Sequence, residues 1–281
     1  MLSTRHGVRV LGPTDLAAFL DLTGRDPVVN VFADYRARTT NLEPRWLGGE
    51  VWGRFRDGEL VAACHLGANL VMVEATDEDA RVFAERALTR RRSVSTIYGL
   101  QAPVRAFWDV VATGWGRPRE ARWCQPHLEI AGEPAVAPDP RVRRTTRDDL
   151  DVLFPACVAM HTEEVGVPPD QGGGADLYRT RVSQLISLGW SFARFEDDRV
   201  VFKAEVAYAS PHAAQVQGVW VPPDLRGQGL AAAGMAAVVE QVRRDIAPVV
   251  SLYVNGYNTP ARAAYARVGF RETATFATIM F

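Results

Sequence analysis

The run Arg226-Gly227-Gln228-Gly229 has the residue types of an anion-binding loop. An apolar stretch ending in Val219-Trp220-Val221 enters it through Pro222-Pro223, and an alanine-rich segment beginning Leu230-Ala231 leaves it. Glycines let backbone N–H groups come close to a ligand, and a helix behind them adds its unpaired first-turn amides and the positive end of its dipole. Arg226 adds a fixed cation. A pyrophosphate suits such a site. Taken alone, the loop also fits an ordinary glycine-rich turn before a helix, so the rest of the chain has to decide. Side chains able to move a proton stand at Glu163, Glu164, Glu205 and His161.

Composition narrows the setting. A chain of 281 residues has room for two domains. With 47% hydrophobic and 23% charged residues it reads as a globular protein. A formal net charge of -1 gives no global attraction to nucleic acid or an acidic membrane. The arginine clusters at 90–92 and 141–144 are short and read as solvated ends of elements. Residues 1–6 lack the apolar run of a signal peptide, and no stretch approaches the roughly 18 apolar residues of a membrane span. Cys64, Cys124 and Cys157 lie far apart, and the five histidines never pair at metal-ligand spacing. No metal and a reducing cytoplasm are therefore expected.

Two similar series of elements position these residues. In the first half a strand at 8–11 and a helix opening at Pro13-Thr14-Asp15 precede a polar, arginine-containing segment around 35–44. Strands at 51–56, 60–66 and 70–73 follow, the first two joined by Asp57-Gly58, a strong hairpin signal. A helix at 77–91, a strand at 94–98, a helix at 103–112 and a strand at 122–130 complete it. The proline-rich stretch 132–140 reads as a linker. The order then repeats: a strand at 142–145, a helix to about 160, an irregular segment containing Glu163, Glu164 and the glycines 172–174, and a helix at 177–188. A meander at 190–195, 200–208 and 214–221 leads to the glycine loop, a helix at 230–244 and a strand at 249–254. In the next helix Thr259 is the expected cap, Pro260 the first helical residue and Gly269 the stop, before strands that close at 281. Internal duplication explains the shared order.

After the strand at 249–254 comes a second motif, filled by Asn258, Ala261, Tyr265, Gly269 and Phe270. With Arg226, Gly229 and Ala231 it resembles the paired cofactor motifs of the GNAT (Gcn5-related) N-acetyltransferases. The resemblance covers about residues 141–281, and the whole arrangement is similar to tandem GNAT proteins of the mycothiol-synthase kind and to two-domain actinobacterial GNAT proteins. It implies an α/β (α+β) architecture of two tandem GNAT-like domains, each a mixed, mostly antiparallel sheet flanked by helices. The expected boundaries are 1–131 for a degenerate domain, 132–140 for the linker and 141–281 for a catalytic domain.

The resemblance also implies roles. Acetyl-CoA would lie where strands 214–221 and 249–254 splay apart, its pantetheine arm meeting backbone groups of Val219 and Val221. Gly227, Gln228, Gly229, Leu230 and Ala231 would offer amides to the pyrophosphate beside Arg226, and Asn258 would bond the pantetheine or hold the next loop. Tyr265 is the candidate general acid toward the departing thiolate, and Glu164 the leading candidate base for an amine acceptor, ahead of Glu163 and Glu205. Gln217 stands where several relatives carry a base, a role that glutamine cannot fill. The first half departs from the pattern: Glu74-Ala75-Thr76-Asp77-Glu78-Asp79 replaces the loop with acids, and Phe107 or Trp108 falls where Tyr265 does. The implied activity is acetyl transfer to a primary amine. The alternatives are a non-catalytic acyl-CoA-binding or regulatory module and, further off, an aminoacyl-tRNA-dependent transferase.

Overall fold

The computed structural model describes residues 6–171 and 173–281. The N-terminal residues 1–5 and Gly172, part of the glycine run noted above, lie outside them. The chain divides into two compact units, Met1–His127 with Glu272–Phe281, and Leu128–Arg271.

In the first unit β1 (His6–Val10), β2 (Glu50–Arg56), β3 (Glu59–Leu66) and β4 (Asn69–Val73) pair antiparallel in sequence. Asp57 and Gly58 both take positive φ, 51° and 89°, as a tight hairpin turn between β2 and β3 requires. Strand β5 (Thr96–Leu100) runs parallel to β4. Helices α1 (Leu16–Thr23), α2 (Val31–Thr40), α3 (Pro44–Leu47), α4 (Asp77–Leu88) and α5 (Gln101–Trp115) accompany the sheet. Trp52, Phe83 and Phe107 fill the core of this unit. The polar segment expected around 35–44 is largely helix α2. Its buried face carries Asp34 and Thr40 beside Val31 and Phe32, and Asp34 is ion-paired one turn on with Arg38 at 2.5 Å. A polar group satisfied in this way hides the helix from an apolar pattern.

The second unit repeats the meander. Strands β7 (Arg143–Arg144), β8 (Ser191–Glu196), β9 (Arg199–Ala209) and β10 (Ala213–Trp220) are antiparallel, and β11 (Val249–Tyr253) is parallel to β10. Helices α6 (Leu150–Val165), α7 (Ala175–Ser187), α8 (Leu230–Asp245) and α9 (Thr259–Val268) flank this sheet. Met235, Val238, Val239 and Val242 of α8 bury one helical face against Phe202, Val206 and Val250. Helix α6 outruns its expected end by more than a turn, stopping at Gly166 with φ 77°, so Glu163 and Glu164 sit on its last turn and not in an irregular loop. In α7, Val182, Leu185 and Ile186 are buried, while Leu177, apolar at the same helical spacing, is 77% exposed.

The chain is parted differently from the sequence-based boundaries. Where closing strands to 281 were expected, the described residues form a single strand, β12 (Arg271–Met280); its residues from Glu272 on belong to the first unit, where Phe276–Met280 pair antiparallel with β5. Phe276, Ala277 and Ile279 are buried there, and Thr278 donates to Gln125 at 2.6 Å. Conversely β6 (Glu120–Ile130) ends in Leu128 and Ile130, which join the core of the second unit. The stretch 132–140 also belongs to that unit. Ala135 N donates to the Val268 carbonyl, and Asp139 accepts from the buried Arg194 at 2.7 Å. Specific anchors of this kind hold a segment that composition alone marks as a spacer.

Candidate active site

The parallel pairing of β10 with β11 covers only Ala213–Gln215 against Val249–Ser251. Beyond it the strands separate, and the register of β10 on β9 shifts between Gln217 and Trp220, where Gly218 takes φ 60°. The opening leads into a cleft of about 460 Å³ lined by Val219, Val221, Arg226, Gly227, Gly229, Leu230, Ala231, Asn258, Tyr265 and Glu164 among others. The cleft thus gathers the expected cofactor and catalytic residues except Gln228, which does not line it.

At one end is the glycine loop. Gly227 and Gly229 have φ of 79° and 84°, and no atom lies within 4 Å of where a Cβ would stand on either. Gly229 is the N-cap of α8 and supplies no side-chain cap, and the N–H groups of Leu230 and Ala231 have no acceptor among the described residues. Unsatisfied donors at a helix start form an anion site. Arg226 donates from Nε to the Val221 carbonyl at 2.9 Å and from Nη2 to Glu163 at 2.7 Å; Glu163 also accepts from Trp220 Nε1 at 3.2 Å. Glu163 is therefore committed to the loop's cation.

Helix α9 supplies the next wall. Its N-cap is Asn258, not Thr259: Asn258 Oδ1 accepts from Ala261 N at 3.2 Å, and Gly269, φ 109°, ends the helix. Tyr265 is 7% exposed, its ring edge-on to Phe270 at 5.9 Å. Burial, with the charge of Glu164 added, pushes its phenol well above the usual value of 10. The phenol is protonated at neutral pH, the form a proton donor needs.

Glu205 and Gln217 belong to a polar cluster beside the bulge, built on Lys203, a residue that the sequence alone did not single out. Lys203, fully buried on β9, donates to Glu205 at 3.2 Å and to the Gly218 carbonyl at 3.1 Å. Burial works against the ammonium, but Glu205 and Cys157 outweigh it and hold its pKa above the ordinary value. Burial in turn pushes the Cys157 thiol up to about 11. Gln217 Nε2 donates to Glu205 Oε1 at 2.9 Å. The available signal was Lys203 and Glu205 alternating within Val-Val-Phe-Lys-Ala-Glu-Val, two charges on one face of an otherwise apolar strand. His161 is absent from the cleft lining and meets the Val167 carbonyl at 3.1 Å.

In the first unit the corresponding helix start is filled from within. Thr76 caps α4 by accepting from Asp79 N, and the Asp79 carboxylate accepts from Thr76 N at 3.2 Å. Asp79 is 1% exposed and is ion-paired with Arg56 at 2.7 Å. Phe107 is core.

Residues 188–270, within the second unit, match the acetyltransferase (GNAT) family. Residues 49–153 match a domain of unknown function (DUF4081). Mycothiol acetyltransferase of Brachybacterium faecium is 31% identical over 124 residues, 41% of this chain and 37% of that protein, so the match spans well under half of the relative. A GNAT-family acetyltransferase of Colwellia psychrerythraea superposes with TM-score 0.58 at 12% identity, covering 98% of this chain and 99% of that one. A tandem GNAT protein from the clavulanic acid biosynthesis pathway gives 0.54 at 16% identity over 97% of each chain. At these identities the structures speak for the fold. Among the described residues no helix is long and apolar enough to cross a membrane.

Proposed function

We propose that the protein is an acetyl-CoA-dependent N-acetyltransferase whose second unit transfers the acetyl group to a primary amine. One observation carries this reading: a single cleft joins the open amides of the glycine loop, the end of β10 that has parted from β11 and the protonated Tyr265. The amides of Leu230 and Ala231, with Arg226, receive the pyrophosphate. Backbone groups of Val219 and Val221 receive the pantetheine arm, which places the thioester near Tyr265. The amine nitrogen then forms a bond to the thioester carbonyl carbon, and collapse breaks the carbon–sulfur bond. Tyr265 gives its proton to the leaving thiolate, while the amine's proton passes to Glu164, directly or through water. Glu164 is favoured over Glu163 because it lines the cleft and its charge acts on the Tyr265 phenol, whereas Glu163 is committed to Arg226.

The first unit is read as non-catalytic. Asp79 occupies the start of α4 as an internal anion, and with Asp77 and Glu78 in the same turn it would repel a pyrophosphate there. The test is a thermal-shift and calorimetric titration with acetyl-CoA and longer acyl-CoAs, followed by an amine panel read by thiol release. Thiol release that depends on an amine supports the reading; acyl-CoA binding without turnover by any amine supports a binding module instead.

A further inference from the structure

Two arginines line the cleft, and they differ in what they are free to bind. Arg226, beside the glycine loop, already donates to the Val221 carbonyl and to Glu163. Arg267, in the last turn of α9, is exposed and has no hydrogen bond, ion pair or ring contact among the described residues. The lining sets two carboxylates, Glu163 and Glu164, against these two cations, so its formal charges cancel. Attraction for an anion is therefore local, and among the side chains it falls at Arg267.

Helix geometry sets the place of that cation. Pro260, Ala263, Ala264 and Arg267 recur at i, i+3, i+4 and i+7, one stripe of α9, and all four line the cleft. The stripe carries Arg267 roughly 10 Å along the helix axis from Pro260, with only alanines between. Helix α8 packs beside α9 and adds Ala231 and Ala232 to the lining. Acetyl-CoA carries two anionic groups, the pyrophosphate and a phosphate on the 3′ oxygen of the ribose. The ribose holds the second a few bonds beyond the first, on the side away from the pantetheine arm. With the pyrophosphate on the amides of Leu230 and Ala231, the nucleotide is left to the small-residue walls of α8 and α9.

We propose that Arg267 receives the ribose 3′-phosphate of acyl-CoA and sets the site's preference for the 3′-phosphorylated cofactor over its dephospho form. This rests on the acyl-CoA reading of the cleft given above. A guanidinium is planar, always charged, and offers paired N–H donors that match two phosphate oxygens at once. The glycine loop, by contrast, meets the pyrophosphate that both cofactor forms share. Anchoring and selectivity thus fall on different elements, the start of α8 and the end of α9. A basic residue in the last turn of a helix also offsets the helix dipole. That role alone would act on both cofactor forms alike.

Calorimetric titration of acetyl-CoA and acetyl-dephospho-CoA into the full chain, at one fixed ionic strength, tests this. The wild type is expected to bind acetyl-CoA about tenfold more tightly than the dephospho form. Arg267→Gln is expected to weaken acetyl-CoA about tenfold and to leave acetyl-dephospho-CoA within about twofold, so that the two forms bind alike. Arg267→Lys, which keeps the charge without the fork, should retain part of the preference. The dephospho form is the internal control for folding, since a variant that binds it normally has an intact site. Equal weakening of both forms in Arg267→Gln, or a preference that survives the substitution, overturns the proposal while the acyl-CoA reading stands. A wild-type chain that binds neither form removes that reading, and the role of Arg267 with it.

Discussion

Arg226 and Glu163 form an ion pair within the cleft, Nη2 donating to Oε2 at 2.7 Å. The cation beside the anion loop therefore already has a negative partner from α6. Both side chains are about half exposed, where such pairs are worth roughly 0–1 kcal/mol. A pyrophosphate that engages Arg226 must compete with Glu163. Glu163→Gln is expected to tighten acetyl-CoA binding about two- to fivefold by calorimetry, and weaker binding in this variant would contradict the assignment.

Tyr265→Phe separates binding from chemistry. The ring stays apolar and packed on Phe270, so acetyl-CoA affinity is expected to hold while kcat falls about a hundredfold or more. Because burial and Glu164 push the phenol above 10, Tyr265 is expected to contribute no alkaline limb to the rate below that pH. Turnover at the wild-type rate in Tyr265→Phe removes the acid role.

Lys203 and Glu205 make a second, structural prediction. Lys203→Met leaves a carboxylate buried without its cation and is expected to cost about 3–5 kcal/mol in chemical denaturation. Replacing both partners, as Lys203→Met with Glu205→Leu, is expected to recover most of that loss. Additive losses in the double variant would show that the two residues act independently.

Much of the site was legible because its motifs are local. A glycine loop followed by a helix, and a helix opened by Asn258-Thr259-Pro260 and closed by Gly269, depend on neighbours in sequence. What was missed depends on distant partners. Helix α2 buries Asp34 against Arg38 and Thr23, so its inner face does not look apolar. The residues of β12 that pair with β5 lie some 180 positions away from it, and no local pattern names that neighbour. Lys203 is fully buried only because Glu205, Gly218 and Cys157 converge on it from three elements.

Two buried histidines give the first unit an acid sensitivity. Burial, with Arg36 adding to it at His65, lowers both His65 and His127 from 6.5 to about 4, while Asn69 opposes it at His65 and Asp26 at His127. Between those values the unfolded chain binds more protons than the folded one, so stability rises with pH across about 4 to 6.5 and is fully present above it. Each residue contributes up to about 3 kcal/mol at neutral pH by this shift. The urea midpoint of the first unit is expected to fall from pH 7 to pH 5. His65→Phe should flatten that dependence, and an unaltered pH slope would contradict the cause assigned.

The proposed function requires a single working acyl-CoA site, in the second unit. Isothermal titration of acetyl-CoA into the full chain, wild type and Arg226→Ala, tests it most directly. One molecule bound per chain is expected, with affinity weakened several-fold in Arg226→Ala. Binding of two molecules, or of none, would contradict it.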